Sequence, residues 1–126
     1  MRFLSDQHLA AATAAFHADA ELLQAANGVS LRILYAVSDS AEGDFTYNIR
    51  ISDGVVEMAR GQIDEPDAVV RSSYETAASL NRGELANQTA IMMGKIKIKG
   101  SLMTLLRHQA LLNRVQALAS ALPVTY

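Results

Sequence analysis

Few side chains in this sequence have the type and spacing that catalysis needs. The three histidines, His8, His17 and His108, never pair at metal-ligand spacing. With no cysteine there is no thiol nucleophile, thiolate metal site or disulfide. No Ser-His-Asp order, glycine-rich phosphate loop or paired-carboxylate motif nominates an acid–base pair. Tyr35, Tyr47 and Tyr74 read as amphipathic lining or core. The expectation is therefore a protein that is not an enzyme, with no catalytic residue, no metal and no cofactor.

The densest charge lies in Gly94-Lys95-Ile96-Lys97-Ile98-Lys99-Gly100, which holds every lysine of the chain. Its period of two puts Ile96 and Ile98 on one side of a strand and the lysines on the other. Such ammonium groups can attract a carboxylate, a phosphate-bearing ligand or an anionic membrane. Their ordinary role is to keep a strand's exposed face soluble and to discourage edge pairing. Charge is also divided along the chain: residues 1–84 carry all 13 acids and six arginines, net −7, whereas residues 85–126 carry three lysines, two arginines and no acid, net +5. Either the basic third approaches anionic lipid or an acidic partner, or the two parts neutralise each other across the fold. Nucleic acid is excluded as a partner, because the chain is mildly acidic and its basic residues are not interleaved with aromatics.

The elements that would position these residues follow from periodicity. Ser5-Asp6 opens a helix with Leu9, Ala12, Phe16, Ala20 and Leu23 on one face, stopped at Asn27-Gly28, and His8, His17, Asp19 and Glu21 fall on its solvent side. Val29 to Val37 and Phe45 to Ile51 alternate as strands, and Asp53-Gly54 turns the chain into a third, Val55 to Arg60. Asp67 to Ser72 is a fourth. Ser72-Ser73-Tyr74-Glu75 has capping-box form, predicting a helix through Leu80, and after Gly83 a second short helix runs from Glu84 to Met92.

Beyond Gly100 the period becomes helical, with Ser101 as N-cap. Leu111, Leu112, Val115, Leu118, Ala119 and Leu122 form one stripe opposite Gln109, Asn113, Gln116 and Ser120, while Leu102, Met103, Leu106 and Ala110 project toward that polar side. The apolar surface swings round near Arg107 to Ala110, so either the helix breaks there or its first half meets something apolar that its second half does not. The whole reads as one α+β domain over residues 1–126: a five-stranded, largely antiparallel sheet with helices on one face. Alanine-rich and methionine-bearing covers of this kind can leave a hollow of the size that takes small apolar ligands. No apolar run is long enough to span a membrane, and neither end carries a targeting signal, so cytoplasmic location is expected.

The Gly94 to Gly100 segment, with the Leu102 to Leu112 helix after it and the Tyr74, Leu80, Gly83 and Met92-Met93 arrangement before it, resembles the sterol carrier protein 2 (SCP2) domain over about residues 29–122. The resemblance implies an apolar tunnel between sheet and helices, and a fatty acid, fatty acyl-CoA, sterol-like or other lipid ligand. The residues placed near such a cavity are Tyr35, Ile49, Ile51, Met58, Met92, Met93, Ile96, Ile98, Leu102, Met103 and Leu106. The expected function is non-catalytic carriage or presentation of a long-chain lipid (fatty acid, fatty acyl-CoA, sterol-like or isoprenoid), with transient contact with an anionic membrane or a lipid-metabolism enzyme. The alternative is an accessory module for an enzyme of lipid or quinone metabolism.

Overall fold

In a computed structural model that describes all 126 residues, Met1–Tyr126, the alternating segments form a single five-stranded sheet. β1 (Leu31–Ser38), β2 (Phe45–Ser52) and β3 (Val55–Arg60) make an antiparallel meander. At its tight turn Asp53 and Gly54 both take positive φ, 52° and 77°, which matches the twist of paired strands. β4 (Ala68–Ser73) lies parallel to β1, with Ile33 opposite Ala68 and Val37 opposite Ser72, and β5 (Ile96–Gly100) lies antiparallel on β4. The order β3-β2-β1-β4-β5 leaves β3 and β5 as edges. Only the β1–β4 pair is parallel, and residues 61–67 make that crossing. Asn48 is buried beneath this segment, its Nδ2 donating to the carbonyl of Gly61 at 3.1 Å.

The helices gather on the other face. α1 (Asp6–His17) begins where the Ser5 hydroxyl accepts the His8 N–H. Sequence periodicity predicts one helix to Asn27; the chain instead breaks, and α2 (Ala20–Ala26) starts anew at Asp19. The Asp19 carboxylate accepts the Leu22 N–H at 2.8 Å and a hydrogen bond from Arg114 at 2.6 Å, and the Arg114 bond, then the Leu22 bond, holds it below its ordinary pKa. Asp19 is thus a cap and a tie to the last helix, not a solvent residue. His17 and Glu21 are exposed as expected.

α3 (Tyr74–Asn81) is capped by Ser73, whose hydroxyl accepts the Thr76 N–H; the predicted cap, Ser72, stays in β4 opposite Ile96. α4 (Asn87–Met92) precedes β5, and α5 (Leu102–Arg107) follows it from the Ser101 cap. At His108 (φ −105°, ψ 24°) the helix does break, and α6 (Gln109–Ser120) starts after it. The main core joins Ala12 and Phe16 of α1, Leu22 and Ala26 of α2, and Leu111 and Val115 of α6 to Leu31, Ile33, Ile49, Ile51 and Val56 of the sheet. A second cluster packs Phe3, Leu4 and Leu9 on Val37 and Ala78.

Candidate functional site

Alanines let α1 lie close to the sheet, so the space beneath it is filled. The β4–β5 side has thinner cover. α4 and α5 are six residues each, and α5 has no buried residue at all. Between them, α6 and the sheet lies a cavity of about 270 Å³. Its floor is Tyr35, Tyr47, Ile49, Met58, Val70, Ile96 and Ile98; Leu102, Leu105, Leu106 and Leu112 close it from the helices, and Phe3, Leu4 and His8 reach its inner end. No Asp, Glu, Lys or Arg lines it.

The polar groups that do line it are mostly amides. Asn81, Asn87 and Gln88 come from α3 and α4, and Gln109, Asn113 and Gln116 from α6. They form a seam: Asn87 donates to Gln116 at 2.7 Å, and the Ser120 hydroxyl donates to Asn81 Oδ1 at 3.1 Å. The polar side of the last helix, which periodicity alone assigns only as the opposite of its apolar stripe, therefore borders the cavity.

Tyr35 and Tyr47 are cross-strand partners whose rings stack with centroids 4.6 Å apart and planes at 5°. Burial pushes both hydroxyls well above the ordinary tyrosine pKa, and the neighbouring Tyr35 raises Tyr47 further. Both phenols are neutral at working pH and offer no phenolate base. His8 is fully buried, contrary to its predicted place on the solvent side: it lies one turn into a helix whose start is tucked under the chain's first residues. Its Nδ1 accepts the Leu4 N–H at 3.0 Å, so Nε2 carries the proton and faces the Ala119 carbonyl at 3.3 Å. Leu4, with φ of 59°, is held in the left-handed region by that bond. With both ring nitrogens engaged by backbone and no carboxylate nearby, the lining holds no acid–base pair or activated nucleophile. No cluster of side chains that could hold a metal ion is present.

Seven of the eleven sequence-predicted lining residues meet at the cavity: Tyr35, Ile49, Met58, Ile96, Ile98, Leu102 and Leu106. Ile51 is elsewhere, fully buried between Leu31 and Val56 in the main core. Met92, Met93 and Met103 point out to solvent at 87%, 60% and 69% exposure, because α4 and α5 each turn only part of their apolar surface inward. Sequence reasoning missed Phe3 and Leu4, which precede any periodic element, His8, which it placed on the solvent side of α1, and the amides, whose type signals only solvent exposure.

A model of the SCP-2 sterol transfer family matches residues 10–113. By sequence, no curated protein matches the chain significantly. Among solved structures, sterol carrier protein 2 superposes with a TM-score of 0.79 at 15% identity, covering 97% of this chain and 100% of that one. A conserved hypothetical protein from Thermus thermophilus, described as possibly a sterol carrier protein, gives 0.78 at 16% identity, covering 99% and 92%. The palmitated SCP2L2 of Aedes aegypti gives 0.63 at 16% identity, covering 88% and 95%. At such identities these likenesses speak to the fold alone, while the family model spans most of the sequence: this chain belongs to the SCP-2 sterol transfer family.

Proposed function

We propose that this protein binds one long-chain lipid in the cavity between the sheet and α4, α5 and α6, and carries or presents it without performing chemistry on it. The observation that carries this reading is the lining: apolar walls, a seam of neutral amides, and no charged side chain or acid–base pair. Each methylene transferred from water contributes about 0.8 kcal/mol at most, so chain length supplies affinity with little demand for specific contacts. At about 270 Å³ the cavity is near the small end of the roughly 300–1,000 Å³ typical of ligand sites. That favours a single flexible chain, a fatty acid, fatty acyl-CoA or isoprenoid, over a rigid ring system. A structural neighbour described as palmitated supports the same ligand class. The amides suit a neutral or hydrogen-bonding head group.

Organic extraction of the purified protein followed by mass spectrometry, with displacement of a fluorescent fatty acid probe, tests the reading. Val70→Phe, which projects a ring into the cavity from the middle of β4, is expected to weaken probe binding at least tenfold while the fold persists. Recovery of no lipid together with no probe binding would sink the proposal.

A second reading, an accessory module that hands substrate to an enzyme of lipid or quinone metabolism, is favoured by the apolar side chains left outside the cavity. A stable protein partner in co-purification would distinguish it. No helix is long and apolar enough to cross a membrane, and residence in the cytoplasm belongs to the same proposal.

A further inference from the structure

We infer that the β5 edge of the sheet, with the end of α4 and the start of α5, is a docking face for an anionic lipid surface. The inference rests on the cavity being a lipid site, since it gives that site its route to a membrane.

Six large apolar residues at the two ends of β5 are exposed. Met92, Met93 and Met103 lie wholly outside the cavity; Ile91, Leu102 and Leu106 are exposed and line it as well. The patch is thus continuous with the cavity interior. Monomeric proteins leave few large apolar side chains together in water without a use for them. Gly94 and Gly100, both at positive φ, bracket the strand and set α4 and α5 at its two ends.

Charge selects the occupant. Ile96 and Ile98 face the cavity, so Lys95, Lys97 and Lys99 stand on the reverse side of the same edge strand, and Arg107 ends α5. None of these four is in an ion pair: the salt bridges join Arg2, Arg50, Arg82 and Arg114 to Glu42, Glu57, Glu84, Asp19 and Glu21. Residues 85–126 contain no acid. Of the carboxylates brought near from elsewhere, Asp67 accepts the Arg32 N–H, and Asp44 lies across the outer face beyond Arg71.

A plane laid along β5 therefore meets methionine and leucine on one side and unpaired lysines on the other, whose stems can lie on lipid while their heads reach phosphate. A protein partner fits less well. Interfaces between proteins are enriched in methionine and arginine, which this patch has, but also in aromatics, which it lacks, and they are depleted in lysine, of which three stand here unpaired.

Flotation of the full chain with phosphatidylcholine vesicles, with and without phosphatidylglycerol, tests the inference. Binding should require the anionic lipid and fall as salt rises. Lys95→Gln, Lys97→Gln and Lys99→Gln together should weaken it on the order of a hundredfold, about fivefold per charge. Met92→Ser with Met103→Ser should weaken it at least tenfold. Neither set touches the cavity, so both variants should still bind the fatty acid probe when no vesicles are present. Probe binding without vesicle binding would overturn the docking face and leave the carrier reading standing; vesicle binding without any lipid or probe binding would do the reverse. A concentration-dependent dimer abolished by Met92→Ser, or an acidic protein that binds in place of vesicles, would also overturn it.

Discussion

One sheet carries two unlike covers. Over β2 and β3, α1 and α2 bring alanine backbones close enough for Phe16, Leu22, Ile51 and Val56 to lose all contact with water. Under α4, α5 and α6, a cavity runs from β4 and β5 across to Tyr35, Tyr47, Ile49 and Met58, and the two short helices turn methionines outward. The sheet face is largely apolar under both, with Ser72 the polar exception at the cavity, so most of the difference comes from the girth and length of what lies on it. The tightly and loosely covered parts are thereby separated only in part, since Ile49 and Val115 belong to the main core and line the cavity as well.

Substitutions on the two sides should expose that separation. The largest effect is expected from Phe16→Ala in the filled half, a loss of about 3–5 kcal/mol in denaturant unfolding. Next is Gly100→Ala at the hollow edge. There φ is +101° and an added Cβ would stand 2.7 Å from the Asp67 carbonyl, so a loss of about 1–3 kcal/mol is expected, with displacement of the β4–β5 pairing. An unchanged melting curve would show that this edge contributes little to the fold.

The tyrosine pair gives a smaller, pH-dependent effect. Both hydroxyls ionise less readily folded than unfolded, so the contribution is fully present below about pH 10, the unfolded value, and is lost as pH rises toward the folded values. Above about pH 10 each tyrosine should lower stability by at most about 1.4 kcal/mol per pH unit, and Tyr35→Phe should reduce that slope. Smallest of all, Met103→Ser should change stability within about 0.5 kcal/mol, since its side chain supports nothing. A larger loss would mean that α5 is packed more firmly than its exposure indicates.

Much of the fold was legible from periodicity, because a half-buried strand must alternate and a tight hairpin must place residues at positive φ. Asp53-Gly54, the Ser5 and Ser101 caps and the swing of the apolar face at Arg107 to Ala110 all carry local causes. The break at Asp19 has a local cap, the Leu22 N–H, which the alanine-rich period hides, and its second partner, Arg114, is far away in sequence. The cavity was legible only in part for the same reason. Ile96, Ile98 and Leu106 could be placed from strand and helix phase, whereas His8 is set by backbone partners in Leu4 and Ala119 that no pattern of residue types announces. Methionine type suggested lining, but type cannot tell which way a six-residue helix turns it.

The amide seam along α6 sets how the cavity can change size. A wall closed by leucines resists opening in proportion to the apolar area that water would wet. Asn87–Gln116 and Asn81–Ser120 are closed by hydrogen bonds that water can replace, so parting both costs only about 1–3 kcal/mol. That wall is therefore the stretch of the cavity boundary that costs least to part.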